Sequence, residues 1–330
     1  MKRLDHYWYR QNPVAWLLLP VSLLFCSVAM LRRYCYLNGW LARGGVSLPV
    51  VVVGNISVGG TGKTPLIIGL CDYLRQHGFK PGVISRGYGA TTSGEHNVAA
   101  QDDASIAGDE PLLIKRRTGC PVVIGRDRVA AARKLAAEHD CDVVLSDDGM
   151  QHYRLRRDIE IAVVDSDRRF GNGFCLPAGP LRETQARLGT VDIVVYHGDI
   201  NADYHFSLEF DHAVNLLSGE TKPISAFCGA RVHAVAGIGH PQRFFEQLRE
   251  QGLSVIEHAF PDHHRFIADD IVFADRLPVL MTEKDAVKCA QLQTDREPER
   301  ALDDCWYVPA NARLSSRLGP HLVELIRQRR

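Results

Sequence analysis

Several features that would place a chain in a familiar class are missing from this sequence. Basic and acidic side chains balance at 39 each and no acidic tail is present, so the charge predicts no nucleic-acid partner. The nine cysteines include no Cys-x-x-Cys pair, which argues against a disulfide framework or a zinc site and indicates reduced thiols in a cytosol. Internal repeats and low-complexity tracts are also absent. The chain, 45% hydrophobic over 330 residues, is long enough for two globular domains.

What the sequence does have is a long uncharged run near its start. Residues 11–31 carry no charge, and residues 14–31 read VAWLLLPVSLLFCSVAML. As a helix, residues 14–31 would be about 27 Å long, just short of the hydrocarbon core of a bilayer. Pro20 is expected to kink or interrupt that helix.

Three interpretations of this run are open. A cleaved signal peptide fits its length, although no clear Ala-x-Ala site follows. A buried core helix is the plainest alternative, but Trp16, Phe25 and the leucines leave no polar face for water. We favour a membrane anchor within residues 1–45, either spanning the bilayer or lying in its interface. Basic residues on both sides leave the orientation open and suit anionic headgroups: Lys2, Arg3 and Arg10 before the run, Arg32, Arg33 and Arg43 after it.

From residue 49 onward, short apolar runs alternate with helical patterns. Runs such as VVVVG (50–54) and IEIAVVD (159–165) are typical of buried parallel strands covered by helices on both faces. We therefore predict a doubly wound α/β domain over residues 46–200, and the glycine-rich segment GGTGKT (59–64) within it makes this domain P-loop NTPase-type. A smaller α/β lobe is predicted over residues 201–330, closing over a cleft. Its segments include an antiparallel strand at 204–210, helices at 268–275, 283–290 and 314–328, and a charged connector at 294–304.

The segment SVGGTGKT (57–64) lies between an apolar strand and a helical pattern. Its glycines let consecutive backbone N–H groups wrap a phosphate, Lys63 neutralises phosphate charge, and Thr64 supplies a hydroxyl for Mg²⁺. Ser57 stands where the usual GxxxxGK[ST] pattern has glycine. The alternative is a glycine-rich turn with an accidental lysine, but the strand–loop–helix context favours ATP. The predicted nucleotide-binding residues are Ser57, Val58, Gly59, Gly60, Thr61, Gly62, Lys63 and Thr64.

Three polar clusters are further candidates. Asp147 and Asp148 end an apolar strand, where P-loop proteins place a second Mg²⁺ contact. GDEP (108–111) presents two adjacent carboxylates, although helix capping by the first one explains them equally well. PDHHRF (261–266) follows a strand of the second lobe, and its alternative is a solvated polar turn. A histidine facing a carboxylate across the cleft would tune it as a base for a substrate hydroxyl.

Eight motifs, in this order, resemble the tetraacyldisaccharide 4'-kinase family, the lipid A 4'-kinases of Gram-negative bacteria. They are GNISVGGTGKTP (54–65), SRGYG (85–89), GDEP (108–111), DDGMQHYRL (147–155), RRFGNGFCLPAGPLRE (168–183), GIGHPQRFF (237–245), PDHHRF (261–266) and MTEKDAVKC (281–289). The resemblance implies transfer of the γ-phosphate of ATP to the 4'-hydroxyl of a tetraacylated glucosamine disaccharide 1-phosphate. It also implies a hydrophobic N-terminal helix at the cytoplasmic face of the inner membrane, and we expect a monomer.

The same resemblance implies roles for individual residues. Asp109 matches the family's base, and His263 matches the histidine paired with it. Acidic positions near Mg²⁺ are matched by Glu110, Asp147 and Asp148, in addition to the hydroxyl of Thr64. Positions around the substrate or the phosphates are matched by Tyr88, Arg182 and Glu183.

A membrane-associated P-loop ATPase of the partition or metal-insertion type is the second hypothesis. Its loops share the GGxGKT pattern, but many of them carry an additional lysine where this chain has Val58. Such a switch protein also needs no acceptor base in a second lobe. Stimulation of ATP turnover by a lipid disaccharide, and not by a protein partner, would separate the two hypotheses.

Overall fold

The computed structural model describes residues 7–289, 292 and 302–329. Lys2 and Arg3, together with most of the predicted charged connector at 294–304, lie outside these residues. The helices are α1 Pro13–Leu37, α2 Lys63–Gln76, α3 Ala104–Ala107, α4 Asp109–Thr118, α5 Arg128–Glu138, α6 Pro241–Glu250, α7 Glu283–Cys289 and α8 Leu318–Arg329.

The strands form two sheets within the described residues. They are β1 Val50–Gly54, β2 Pro81–Ser85, β3 His96–Asn97, β4 Val122–Ile124, β5 Val143–Asp147, β6 Ile159–Asp165, β7 Ile193–His197, β8 His205–Glu209, β9 His212–Asn215, β10 Thr221–Pro223, β11 Arg231–Ala236, β12 Ser254–Ala259, β13 Val279–Thr282, β14 Cys305–Val308 and β15 Asn311–Leu314. The larger sheet has the order β15-β8-β7-β6-β1-β5-β2-β4-β3, and the smaller has the order β10-β9-β14-β13-β11-β12. The larger sheet and its helices are called the large lobe, and the smaller sheet with α6 and α7 the small lobe.

The large lobe confirms the predicted doubly wound α/β fold. Its central strand β1 pairs in parallel with β5 and β6, and every residue of β1 is buried. Alternate side chains of a strand point to opposite faces. Accordingly, Val51 and Val53 pack with α2, α4 and α8 on one face, whereas Val50 and Val52 pack with α5 on the other. The apolar run therefore lies between two cores. Its carboxyl end leads into the glycine-rich segment 57–64, called the phosphate loop.

The chain passes between the lobes at different points from the predicted boundary at residue 200. Strand β8 pairs in parallel with β7 and antiparallel with β15, so both β8 and β15 belong to the large sheet. The small sheet is built from residues 212–308. The alternating pattern of β8 showed a half-buried strand but did not show its partners, because alternation defines a face and not a neighbour.

Two helix predictions in the second half of the chain differ from the structure. The segment 268–275 forms a short 3₁₀ turn at Ala268–Asp270 instead of a helix. There the carboxylate of Asp270 accepts hydrogen bonds from the backbone N–H of Ile267 and from Nε2 of His264, which competes with helix formation. The C-terminal helix begins at Leu318, after the edge strand β15, and not at residue 314.

Helix α1 continues through Pro20 as one 25-residue helix, so the predicted interruption does not occur. A narrow stripe of Ala15, Ser22 and Cys26 is buried, while Leu17 is 81% exposed and Leu24 65% exposed. Only 17% of its most apolar 18-residue window is buried, which argues against the core-helix interpretation. At about 1.5 Å per residue the helix is about 37 Å long, and it is apolar enough to cross a bilayer. These properties are consistent with membrane association.

Candidate active site

The phosphate loop predicted from the sequence joins the end of β1 to the start of α2. Gly59 and Gly62 have φ angles of +117° and +82°, a left-handed conformation that favours glycine. A Cβ atom on Gly62 would also lie 2.8 Å from Nδ1 of His197, which is too close, so glycine fits best at this position. Lys63 and Thr64 form the first turn of α2, where unpaired N–H groups and the helix dipole favour a phosphate.

Two carboxylates lie at the end of β5, next to this loop. The carboxylate of Asp148 lies 3.5 Å from the ammonium of Lys63 and 3.1 Å from the guanidinium of Arg182. Burial raises the pKa of Asp148, but the two cations outweigh burial and hold this pKa below its usual range. Burial, reinforced by the charges of Glu110 and Asp148, raises the pKa of Asp147 to about 7. The nearby cations therefore compensate the negative charge at Asp147 incompletely.

Asp109 and His263 meet across the two lobes. Asp109 is the first residue of α4, and Gly108 is the N-cap residue, so the carboxylate does not serve as the predicted cap. His263 follows β12, and its Nδ1 donates a hydrogen bond to Oδ2 of Asp109 over 3.0 Å. The other oxygen of Asp109 accepts from the backbone N–H of Glu110 over 2.9 Å. The ring of Tyr88 lies over His263, with the two ring centroids 4.7 Å apart.

The electrostatics of this pair are strongly asymmetric. Burial raises the pKa of Asp109, but the hydrogen bond from His263 and the charge of Lys284 outweigh burial and lower this pKa to about 2. The same hydrogen bond raises the pKa of His263 above its ordinary value. Asp109 is consequently a fixed carboxylate at neutral pH, whereas the imidazole of His263 is the more basic partner.

Arg182 and Glu183 are neighbours in sequence but play different parts in the structure. Arg182 donates to Oε1 of Gln151 over 3.2 Å, in addition to its contact with the carboxylate after β5. Glu183 is buried and accepts hydrogen bonds from Nε2 of Gln151, over 2.8 Å, and from the hydroxyl of Tyr153. Arg187 lies 3.6 Å away from it. The side chain of Arg182 is thus paired but 29% exposed, whereas Glu183 is buried in a hydrogen-bond network.

A cavity of about 1450 Å³ connects these residues. The predicted site residues along it are Val58, Gly59, Gly60, Thr61, Gly62, Lys63, Thr64, Tyr88, Glu110, Asp147, Asp148, Arg182, Glu183 and His263. Ser57 and Asp109 are buried and lie outside this lining. At its other end the cavity reaches α1, where Phe25, Val28 and Arg32 form part of the wall. Phosphate-binding and apolar surfaces thus share one space.

Several residues of this site were not predicted from the sequence. Arg128 is buried and donates to the backbone carbonyl at the end of β5 over 3.1 Å, and burial lowers the pKa of His152 to about 4. Arg168 donates to the carbonyl of Gly239 over 2.6 Å, which ties the large lobe to the small lobe. Lys284 points into the carboxylates around Asp109. The motifs containing His152, Arg168, Gly239 and Lys284 were recognised, but no spacing rule selects these members as site residues.

The fold and the site together define a P-loop phosphotransferase with a cavity between two lobes. The model of the LpxK family, tetraacyldisaccharide-1-P 4'-kinase, matches residues 14–327. A tetraacyldisaccharide 4'-kinase of Nitrosococcus oceani is 48% identical over 324 residues, covering 98% of this chain and 94% of that protein. One of Azoarcus sp. is 49% identical over 335 residues, covering 98% and 95%.

A solved structure extends the comparison to three dimensions. The "apo" form of LpxK from Aquifex aeolicus in complex with ATP superposes with a TM-score of 0.78 and 27% identity, covering 96% of this chain and 99% of that one. The chain belongs to the tetraacyldisaccharide 4'-kinase family, which confirms the resemblance noted in its motifs. It is an ATP-dependent kinase of lipid A biosynthesis, and the partition-type ATPase hypothesis is not favoured.

Proposed function

We propose that the cavity holds ATP at the phosphate loop and the disaccharide headgroup of the lipid beside α1, with the Asp109–His263 pair between them. The observation that carries this proposal is the 3.0 Å hydrogen bond that joins these residues across the two lobes. Phosphoryl transfer to an alcohol needs in-line placement, charge compensation and a proton acceptor, and needs no covalent intermediate. The pair supplies the acceptor at the lobe interface, so the site requires residues of both lobes.

Within the pair, His263 is the better proton acceptor and Asp109 the residue that orients it. Both oxygens of Asp109 already accept hydrogen bonds, and its pKa of about 2 makes it a weak base. His263 is held by its Nδ1, and its Nε2 lies 3.8 Å from the carboxylate of Asp262, beyond hydrogen-bond distance, so Nε2 can take the proton of the 4'-hydroxyl. Its raised pKa brings its basicity closer to what a general base at neutral pH needs. This assignment reverses the roles that the family resemblance implies for the two residues.

We further propose that Mg²⁺ is held by the oxygen ligands of Thr64, Glu110, Asp147 and Asp148. The incompletely compensated charge at Asp147 fits a hard divalent cation, and carboxylate and hydroxyl oxygens are the ligands that Mg²⁺ prefers. When bound, Mg²⁺ supplies positive charge to the phosphate oxygens of ATP. Lys63 and Arg182 are placed to add to that charge from the protein side.

Helix α1 is proposed to dock the enzyme on the cytoplasmic face of the inner membrane as a monomer. A substrate with four acyl chains stays in the bilayer, so the enzyme must bring its cavity to the headgroups. The exposed apolar face of α1 and the basic residues after it suit such a surface. Because Phe25, Val28 and Arg32 also line the cavity, only the sugar has to be lifted into it.

A transfer assay tests this function. ATP labelled in the γ-phosphate is incubated with the protein, Mg²⁺ and tetraacyldisaccharide 1-phosphate in mixed micelles, and labelled lipid is quantified. We expect label at the 4' position, dependent on His263. Hydrolysis of ATP at a rate indifferent to the lipid, with no label in the lipid, would contradict the proposal.

A further inference from the structure

Lys284 lies in the middle of a cluster of carboxylates that both lobes contribute. Its ammonium is 2.8 Å from Glu110, 3.1 Å from Asp262 and 3.8 Å from Asp109. Its side chain is only 14% exposed. Among the residues that the structure describes, these three carboxylates are its ion-pair partners. One partly buried cation thus faces three acids.

The three acids come from opposite sides of the cleft. Asp109 and Glu110 begin α4 in the large lobe, whereas Asp262 follows β12 in the small lobe. Like charges repel, and the repulsion is strongest where water is excluded, as it is around the buried Asp109. Asp262 is 36% exposed, so water screens part of its repulsion. Without Lys284, closing the cleft would therefore push the segment that carries His263 away from Asp109.

We propose that Lys284 is a positioning residue for phosphoryl transfer: its ammonium bridges the acids of the two lobes and so seats His263 against Asp109. The proposal rests on the function proposed above and adds a residue to it. Lys284 contacts Asp109, which orients the proton acceptor, and the neighbouring acids Glu110 and Asp262. Loss of Lys284 therefore displaces the acceptor and lowers kcat. ATP is held by the phosphate loop of the large lobe, so the KM for ATP stays nearly constant.

A neighbouring ion pair offers a matched control. Glu283, the residue before Lys284, pairs with Arg117 over 2.6 Å and also joins α7 to α4. This pair has no member in the carboxylate cluster. If Lys284 acted only by fastening the two helices, Glu283→Gln and Lys284→Met would have similar effects.

The experiment measures kcat, the KM for ATP, and equilibrium ATP binding for Lys284→Met, Lys284→Arg, Glu283→Gln and the double variant Lys284→Met/Asp262→Asn. We expect Lys284→Met to lower kcat on the order of 100-fold, as for a misplaced catalytic group, with ATP binding within about 3-fold. Lys284→Arg keeps the charge and should recover part of kcat, while Glu283→Gln should stay within about 3-fold of the wild type. The double variant removes one cation and one acid, so it should exceed Lys284→Met in kcat.

The outcomes separate this inference from the function on which it rests. Equal losses for Lys284→Met and Glu283→Gln, or a double variant no faster than Lys284→Met, would overturn the positioning role. A raised KM for ATP at unchanged kcat would place Lys284 in nucleotide binding instead. If Lys284→Met does not fold, the charge-balanced double variant and Lys284→Arg carry the test. Absence of lipid phosphorylation by the wild type would refute the proposed function and not this role alone.

Discussion

The two lobes contribute to one cavity in different ways. In the large lobe the charged residues around the phosphate loop pair with one another, as Lys63 and Arg182 do with Asp148. In the small lobe His263 and Lys284 direct their polar atoms across the cleft to Asp109 and Glu110. On the function proposed above, ATP binding is expected to depend mainly on the large lobe, whereas turnover should require both lobes. Variants should therefore separate ATP affinity from kcat according to the lobe contact they disturb.

The largest separation is expected from the proton acceptor. His263→Ala should lower kcat roughly 10²- to 10⁴-fold, the range typical of lost general acid–base catalysis. ATP binding should remain within about 2-fold, because the phosphate loop does not involve His263. Transfer of labelled phosphate to the lipid gives kcat, and equilibrium dialysis gives the affinity. Asp109→Asn serves as the partner variant, and the double variant should be little worse than either single one, since the two residues act as a unit. Additive losses would mean that they act separately.

A smaller loss of kcat is expected from disturbing a contact between the backbones of the two lobes. Gly239 of the small lobe lies against Gly60 of the phosphate loop, and a Cβ atom on Gly239 would be 2.2 Å from the backbone nitrogen of Gly60. Backbone must shift to accept it, so Gly239→Ala should hold the lobes apart and lower kcat on the order of 10-fold to 100-fold. Because Gly60 belongs to the phosphate loop, ATP binding should weaken as well. Gly189→Ala is the control, because no atom lies within 4 Å of its added Cβ. Equal rates for the two variants would show that this contact has no role in turnover.

The sequence predicts the phosphate loop of the large lobe better than it predicts the contacts between the two lobes. The phosphate loop and the buried strands were predicted because strand, loop and helix are contiguous and their patterns are local. The Asp109–His263 pair joins residues 154 positions apart, and only the family resemblance brought them together. Lys284 resembles an ordinary lysine on a helix surface, since nothing local reveals three acids around it. The edge strand β15 was missed because four residues of mixed polarity carry too little pattern.

The next comparison is between the exposed apolar residues of α1 and exposed apolar residues elsewhere. Leu17→Glu/Leu24→Glu removes two side chains that would each contribute about 1.5–3 kcal/mol on burial in lipid, so binding to anionic vesicles should weaken at least roughly 10-fold. Activity on lipid in vesicles should fall with it, while ATP binding is retained. Deletion of residues 1–31 should act in the same direction.

The control for this prediction is Leu217→Glu, because Leu217 of the small lobe is also half-exposed, at 50%. Vesicle binding should be unaffected by this change. If Leu217→Glu, which adds one negative charge, weakened binding by half the free energy lost in the α1 variant, which adds two, the effect would come from net charge and not from insertion of α1. Unchanged activity of the truncated chain on vesicles would remove the reason for an anchor.

The smallest expected effect is a shift in the pH dependence of kcat, which shows which member of the Asp109–His263 pair is the base. An imidazole accepts a proton only when it is neutral, so kcat should fall as pH drops through the pKa of His263. The hydrogen bond with Asp109 raises that pKa above its ordinary value of 6.5, so the acid limb should lie above 6.5. In Asp109→Asn the charge that favours the imidazolium is gone, and the limb should move to lower pH. The imidazole can be titrated directly by NMR with labelled histidine, using His263→Ala to assign its signal. A limb that lies near the low pKa of Asp109, and does not follow the imidazole titration, would return the role of base to the carboxylate.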